Sequence, residues 1–234
     1  MSRYSVILFD ADGTLFDFSA CEREAFREAL SMSGAVASDE MVAAYKKIND
    51  DLWKSLERGE IEREVLVFRR FEIFAERYGL ALDAMKMAED YVRCLGEKTY
   101  LIEGARELLD SLYGKVRMYI ITNGVERVQR RRYELSGFYR YFDGIFISEA
   151  LGVNKPDPRF FEYVCEHIDL FSLKDALVVG DSLSSDISGG IGFGLDTCWY
   201  NPENISTSLA PTYTVSSLMS VLPIILGGEE NVGS

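Results

Sequence analysis

Short apolar runs recur along the chain at positions that predict the strands of a parallel β-sheet. Runs of about four to eight apolar residues, rich in β-branched and aromatic side chains, are typical of strands buried on both faces. Amphipathic segments with helical periodicity separate the later runs, and this alternation is typical of α/β folds. The strand-like runs lie at residues 5–9, 116–122, 144–148, 176–180 and 197–200. The helical patterns lie at residues 105–112, 125–135, 158–168 and 184–191.

One long interval, residues 16–98, interrupts the alternation and contains only amphipathic helical patterns. The first predicted helix begins at Ser19, with Glu22 completing a capping box, and ends near Gly34. Three more follow, at residues 39–59, 62–78 and 83–96. Four helices with short connections favour a small antiparallel bundle. The sequence therefore predicts a Rossmann-like parallel-sheet core from residues 1–15 and 99–234, with an inserted α-helical bundle at residues 16–98.

Composition narrows the possible partners. The 234 residues carry a formal net charge of −13, which repels nucleic-acid polymers and anionic membranes, so neither is expected. Charges interrupt every long apolar window, and the N-terminus lacks the pattern of a secretory signal. The glycine-rich tail at residues 227–234 is expected to be disordered. Widely spaced cysteines without zinc-ligand spacing predict reduced thiols in a cytoplasmic protein. They are Cys21, Cys94, Cys165 and Cys198.

Candidate chemistry begins at the end of the first predicted strand. Asp10 and Asp12 follow the apolar run and precede a glycine turn, and ligands in open α/β sheets bind at this edge. Two carboxylates placed together repel each other unless a cation or a shared proton relieves them. The pair therefore suits a magnesium-assisted nucleophile with an acid/base partner. A solvated strand exit rich in Asp and Gly is the ordinary alternative.

Three further polar clusters follow predicted strands. Thr122, Asn123 and Gly124 can hold a phosphoryl oxygen at a turn, or simply cap the next helix. Lys155, fixed in a proline-rich turn, can neutralise phosphate or nearby carboxylates, although a lone lysine is usually a surface residue. Asp181 and Asp186 form a second acidic pair at a strand end, suited to Mg²⁺ or to an ordinary loop.

Taken in order, these clusters resemble the four signature motifs of the haloacid dehalogenase superfamily of phosphohydrolases. The matching segments are Asp10-Ala11-Asp12-Gly13-Thr14, Thr122, Lys155 and Gly180-Asp181 with Asp186. The inserted bundle at residues 16–98 resembles the helical cap domain of one large branch of that superfamily.

The resemblance implies a role for each matching residue. Asp10 is the expected nucleophile, which forms an aspartyl-phosphate, and Asp12 the expected acid/base. Mg²⁺ is expected to bind Asp10, the carbonyl of Asp12 and Asp181, with Asp186 as a ligand or close behind. Thr122, the N–H of Asn123 and Lys155 are expected to hold the phosphate.

A narrower resemblance, to the pyrimidine 5′-nucleotidase subgroup, rests on segments in the insert and near the last strand. They are residues 121–124, 49–53, 197–201 and 210–213. It implies that the substrate is a small phosphomonoester, a nucleoside 5′-monophosphate, with Trp53 and Asn49 as candidate substrate contacts. A sugar-phosphate phosphatase, a β-phosphoglucomutase-like phosphotransferase and an inactive binding or scaffold protein stay open as alternatives. The dehalogenase reaction is disfavoured, because Asp12 occupies a position that is not acidic in that branch. The oligomeric state is not predicted.

Overall fold

The computed structural model describes residues 2–227, and six parallel strands form its central sheet. The strands are β1 (Val6–Phe9), β2 (Arg117–Thr122), β3 (Gly144–Ile147), β4 (Ala176–Gly180), β5 (Asp196–Tyr200) and β6 (Tyr213–Val215). They are ordered β3-β2-β1-β4-β5-β6, so β1 lies in the middle and pairs in parallel with β2 and β4. The predicted α/β parallel-sheet fold is confirmed.

Burial explains why the central strands read as continuous apolar runs. All four residues of β1 and all five of β4 are buried, because helices cover both faces of a parallel sheet. On one face, the side chains of Val6, Leu8 and Val178 pack with Phe160 and Val164 of the helix that precedes β4. The buried apolar strands pair in parallel, and this pairing brings their carboxyl ends to one edge of the sheet.

Ten α-helices accompany the sheet in the described residues. Four form the insert: α1 (Phe18–Met32), α2 (Asp39–Glu57), α3 (Arg63–Tyr78) and α4 (Ala84–Gly96). The others are α5 (Ala105–Leu112), α6 (Glu126–Ser136), α7 (Ser148–Leu151), α8 (Pro158–Glu166), α9 (Ser188–Phe193) and α10 (Val221–Leu226). A single π-helical turn, Leu183–Ile187, precedes α9.

The described chain divides into two compact units. One comprises the residues up to Asp17, Leu101–Glu126 and the residues from Gly137 onward, and it contains the whole sheet. The other comprises Phe18–Tyr100 and Arg127–Ser136, so most of α6 groups with the four inserted helices. The prediction had assigned α6 to the core. Arg132 of α6 donates to the carbonyl of Lys98 and contacts the Sγ of Cys21, which ties α6 to the helical unit.

The helical unit is built around an aromatic interior. In this unit α1 packs against α2 and α4, and α3 packs against α2 and α4. Tyr45 stacks on Phe26 with ring centroids 4.1 Å apart, and the rings of Phe71, Phe74 and Tyr91 lie around it. Such offset and edge-to-face aromatic contacts stabilise a bundle beyond the area they bury.

The start of α1 differs from its prediction. The helix begins at Phe18, so Ser19 lies inside it and the expected capping box with Glu22 is wrong. Glu22 is instead buried and accepts a hydrogen bond from Nδ2 of Asn49 at 2.7 Å. The helix begins one residue before Ser19, and the carboxylate that the pattern assigned to the helix terminus binds a buried partner on α2.

Two remaining predictions concern membrane-spanning segments and the C-terminal tail. Among the described residues, every helix is too short or too polar to meet the requirements of a membrane-spanning segment. The predicted disordered tail lies almost wholly outside residues 2–227.

Candidate active site

Three carboxylates meet at the edge of the sheet where β1 and β4 end. Asp10 directly follows β1, Asp181 directly follows β4, and Asp186 lies in the π-helical turn. Each offers one oxygen to a group whose members all lie within 4.8 Å of one another. Because β1 and β4 are parallel neighbours, their carboxyl ends coincide, and residues 171 positions apart in the chain become adjacent.

Lys155 supplies the positive charge inside this group. Its Nζ donates to Oδ1 of Asp10 at 2.7 Å, to Oδ1 of Asp186 at 2.6 Å and to the carbonyl oxygen of Ile121 at 2.7 Å. The lysine is 1% exposed, so solvent does not screen these ion pairs. An ammonium group has three donors, and all three are used.

The turn after β2 holds the backbone of Lys155. The side chain of Asn123 donates from Nδ2 to the carbonyl of Lys155 and accepts from its N–H, both at 2.9 Å. The neighbouring hydroxyl of Thr122 is buried and accepts from the N–H of Gly124 at 3.0 Å. The predicted phosphate-binding turn and the predicted lysine loop are therefore joined.

Asp181 is held by two residues that the signature motifs do not assign to the site. The Oγ1 of Thr14 donates to its Oδ1 at 3.1 Å, and the Nε1 of Trp199 donates to its main-chain carbonyl at 2.9 Å. Gly13 turns with φ +91° directly beneath it, and a Cβ there would lie 2.4 Å from Oδ2. Thr14 and Trp199 lie within the segments that carry the family resemblance, but only the fold shows which atoms they reach.

Both carboxylate oxygens of Asp186 accept a hydrogen bond. Oδ1 accepts from Lys155, and Oδ2 accepts from the N–H of Ser182 at 3.1 Å. Its carboxylate packs against Gly180, where a Cβ would lie 2.3 Å from Oδ2. Asp186 therefore binds Lys155 directly, and a cation would be an additional partner of its carboxylate.

Burial shapes the ionisation of the cluster. Burial and the charge of Asp186 raise the pKa of Asp10 well above its usual range, and Lys155 opposes this increase. Burial, followed by the charge of Asp186, raises the pKa of Asp181 to about 7. Burial by itself lowers the pKa of Lys155, but Asp10 and Asp186 outweigh it and raise the pKa, so the ammonium stays charged.

The donor set fits a hard divalent cation. One lysine faces three carboxylates, so the group keeps an excess of negative charge in a buried setting. Carboxylate oxygens are the ligands that Mg²⁺ and similar ions prefer. Asp10 and Asp181 are the best-placed side chains, because both oxygens of Asp186 already accept hydrogen bonds.

The remaining predicted residues lie outside this group of three acids. The half-buried Asp12 begins the turn after β1 and forms a bridge with Phe16, and among the described residues its carboxylate is not part of that group. Asn49 and Trp53 lie on α2 in the helical unit. Asn49 is buried, and the guanidinium of Arg63 lies 5.3 Å from the ring of Trp53. Their predicted roles stay predictions.

Comparison with known proteins gives consistent matches over nearly the whole chain. A protein of Bacillus subtilis (strain 168), the HAD-hydrolase YfnB, is 39% identical over 228 residues, covering 96% of this chain and 97% of that protein. The pyrimidine 5′-nucleotidase PynA of Streptococcus pneumoniae is 38% identical over 222 residues, covering 94% of both chains. The pyrimidine 5′-nucleotidase YjjG of Escherichia coli K12 is 36% identical over 221 residues, covering 92% and 95%.

Solved structures and the family comparison agree. A crystal structure of YfnB bound to magnesium superposes with a TM-score of 0.90 at 39% identity, covering 95% of this chain and 98% of that one. L-2-haloacid dehalogenase from Xanthobacter autotrophicus shares the fold, with a TM-score of 0.76 at 18% identity, covering 97% of this chain and all of that one. The model of the haloacid dehalogenase-like hydrolases matches residues 4–194. The chain therefore belongs to the haloacid dehalogenase-like hydrolase family.

Proposed function

We propose that the protein is a magnesium-dependent phosphatase that hydrolyses nucleoside 5′-monophosphates, with pyrimidine nucleotides preferred. The observation that carries the proposal is the buried group of Asp10, Asp181 and Asp186 around Lys155. The substrate class is supported by 36–38% identity to two pyrimidine 5′-nucleotidases over more than nine-tenths of the chain. The partner is thus a small phosphomonoester.

In the first step, a carboxylate oxygen of Asp10 attacks phosphorus, and the bond from phosphorus to the ester oxygen breaks. Asp12 gives its proton to the leaving oxygen, and an aspartyl-phosphate forms on Asp10. In the second step Asp12 takes a proton from water, which attacks phosphorus and returns Asp10 as a carboxylate with release of phosphate. Lys155 holds Oδ1 of Asp10 at 2.7 Å, which fixes the plane of the nucleophile.

In this proposal the turn after β2 donates hydrogen bonds to the phosphate, and Lys155 balances its negative charge. The hydroxyl of Thr122 accepts from Gly124 and can still donate its own proton to a phosphoryl oxygen. The N–H of Asn123 provides a further donor to the transferring group. Lys155, whose three donors are already used, balances the negative charge of that group. Phosphoryl transfer depends mainly on such positioning and charge stabilisation.

Asp10, Asp181 and the carbonyl of Asp12 would hold magnesium, with Asp186 behind them. When bound, the ion neutralises the carboxylates and the charge that develops on the phosphoryl oxygens. Without it, burial keeps the pKa of Asp181 near 7 and that of Asp10 high, which disfavours the ionised nucleophile.

We further propose that the sheet-containing unit is the catalytic core and that the helical unit is the cap domain of this family. Asn49 and Trp53 remain the candidate substrate contacts of that unit. The four cysteines are free thiols in the structure, which supports our proposal of a reducing, cytoplasmic setting.

The test is a substrate panel of UMP, dTMP, CMP, AMP, hexose phosphates and triose phosphates, assayed with Mg²⁺ and with EDTA. We expect the pyrimidine nucleotides to have the highest kcat/KM and EDTA to abolish turnover. Asp10→Asn should lower kcat at least about 10³-fold while circular dichroism stays unchanged, because the nucleophile is lost.

Other outcomes identify the alternatives. Preferred hydrolysis of hexose phosphates would replace the nucleotide assignment by a sugar-phosphate phosphatase. Transfer of phosphate between positions of one sugar would indicate a mutase. Absence of turnover with every phosphoester, in the presence of Mg²⁺, would favour a binding or scaffold protein on this fold.

A further inference from the structure

Trp199 makes a single directed contact with the candidate metal site. It lies on β5, where the strand register places it opposite Gly180, the last residue of β4. Its indole Nε1 donates to the main-chain carbonyl oxygen of Asp181 at 2.9 Å. The side chain is 4% exposed, so this hydrogen bond forms in a buried environment.

The chemistry of the two groups makes the contact specific. An indole offers one donor and no acceptor, and a buried indole N–H needs a partner. The carbonyl of Asp181 lies just beyond the end of β4, where the ladder with β5 has stopped. The hydrogen bond therefore fixes the orientation of the peptide that follows Asp181, and through it the direction of the Asp181 side chain.

Electrostatics inside the cluster act against this position of Asp181. Its carboxylate lies beside those of Asp10 and Asp186, and like charges at this distance repel each other. The three donors of Lys155 bind Asp10, Asp186 and Ile121, so the lysine makes no hydrogen bond to Asp181. Hydrogen bonds from two other residues restrain Asp181 instead: Thr14 binds the carboxylate and Trp199 binds the backbone.

We infer that Trp199 is a positioning residue that holds Asp181 in place for a divalent cation and thereby sets the affinity of the site for that cation. The inference rests on the proposed function only in taking Asp181 as a metal ligand. A ligand that is already oriented loses less freedom when the ion binds, and loss of an outer partner typically costs about 10- to 100-fold in metal affinity.

The variant Trp199→Phe keeps an aromatic ring at this position and removes the N–H donor together with part of the indole ring system. We expect the dissociation constant for Mg²⁺, measured by isothermal titration calorimetry without substrate, to rise about tenfold or more. At saturating Mg²⁺ we expect kcat to stay within about threefold of the unsubstituted protein. A purely structural role would instead lower thermal stability and kcat together and leave the Mg²⁺ dissociation constant unchanged.

The chain offers an optical readout because it contains two tryptophans, Trp53 and Trp199. In a Trp53→Phe background, Trp199 is the single indole, and its fluorescence should change during a Mg²⁺ titration with the midpoint found by calorimetry. In the same background, replacing Trp199 by 3-benzothienylalanine keeps the bicyclic shape and puts sulfur in place of N–H. This isostere should reproduce the weaker binding even if Trp199→Phe folds poorly.

The outcomes separate the two proposals. If the unsubstituted protein binds Mg²⁺ and both the phenylalanine variant and the isostere bind it equally well, the inference about Trp199 is overturned and the phosphatase proposal stands. If the unsubstituted protein does not bind Mg²⁺ at millimolar concentrations, the magnesium assignment and the inference fall together. Weaker Mg²⁺ binding in both variants, with the kcat of Trp199→Phe retained at saturating Mg²⁺, supports the inference.

Discussion

Two asparagine side chains in the sheet-containing unit make the same pair of hydrogen bonds in different surroundings. Asn123 donates to the carbonyl of Lys155 and accepts from its N–H. Asn201 does the same with Ile205, at 2.9 Å and 3.0 Å. A carboxamide carries a donor and an acceptor side by side, so it can pair with one residue's backbone as a neighbouring strand would.

The two asparagines provide a matched experiment. We expect Asn123→Ala and Asn201→Ala each to lower the free energy of unfolding by about 1–3 kcal/mol, because each leaves backbone groups unpaired. Only Asn123→Ala should also lower kcat, by roughly 10- to 100-fold, because a displaced Lys155 no longer fixes Asp10. Thermal unfolding and steady-state kinetics measure both effects. An equal kcat in the two variants would show that Asn123 does not act through Lys155.

Residue identity in the cluster was readable from the sequence, but its hydrogen bonds were not. Asp10, Asp181, Asp186 and Lys155 each follow a predicted strand, and parallel topology brings strand ends together. The contacts of Thr14 and Trp199 with Asp181 depend on side-chain direction across 167 and 18 residues of sequence. No local pattern contains that information.

At the scale of elements, hydrophobic periodicity predicted the five longer strands, and the structure adds one more. The strand β6 has three residues at the edge of the sheet, with one of them buried. A strand this short and this exposed has no distinct apolar run. The four inserted helices begin and end within a few residues of their predictions, because long amphipathic stripes with clear stops are the strongest local signal.

The segment after β4 shows a departure from regular helix at a residue that forms a buried ion pair. The periodicity predicted a regular helix at residues 184–191, but the structure has a π-helical turn, Leu183–Ile187, followed by α9. In this turn the N–H of Ile187 reaches the carbonyl of Ser182, and Asp186 meets Lys155. π-Bulges are frequent at functional sites, and this one depends on a lysine 31 residues away in sequence.

Gly180, the last residue of β4, is predicted not to tolerate a larger side chain. A Cβ at Gly180 would lie 2.3 Å from Oδ2 of Asp186, whereas a Cβ at Gly192 of α9 meets no atom within 4 Å. We expect Gly180→Ala to displace Asp186, to lower kcat at least about tenfold and to destabilise the fold by about 1–3 kcal/mol. Gly192→Ala should leave kcat unchanged and stabilise the helix by up to about 1 kcal/mol. Retention of full activity in Gly180→Ala would contradict the packing argument.

At the scale of the whole molecule, a net charge of −13 makes anion binding depend on where the positively charged side chains lie. This charge repels anions overall, so local positive groups must compensate wherever an anion binds. In the acidic cluster that group is Lys155. A second buried ionic network lies in the helical unit, where Asn49 links Glu22 to Arg70 through hydrogen bonds of 2.7 Å and 2.8 Å.

This second network makes stability depend on pH in a way that can be separated from the active site. Burial raises the pKa of Glu22 from 4.5 to about 7, with smaller influences from Lys46, Asp50 and Arg70. Between these values the folded protein holds a proton that the unfolded chain has released. The contribution of the protonated Glu22 to the free energy of unfolding is therefore complete below about pH 4.5 and is lost as the pH rises to about 7.

Glu22→Gln removes this titration while keeping the size of the side chain. In urea unfolding with EDTA present, the free energy of unfolding should fall between pH 4.5 and pH 8. This fall should be smaller in Glu22→Gln than in the unsubstituted protein, by up to about 3 kcal/mol. The acidic cluster contributes in the same direction to both proteins, because burial also raises the pKa of Asp10 and Asp181, so it cancels in the difference. Glu89→Gln on the exposed surface of α4 removes the same charge and serves as the matched surface control. Parallel pH profiles for Glu22→Gln and the unsubstituted protein would mean that Glu22 stays ionised inside the folded bundle, stabilised by Arg70 through Asn49.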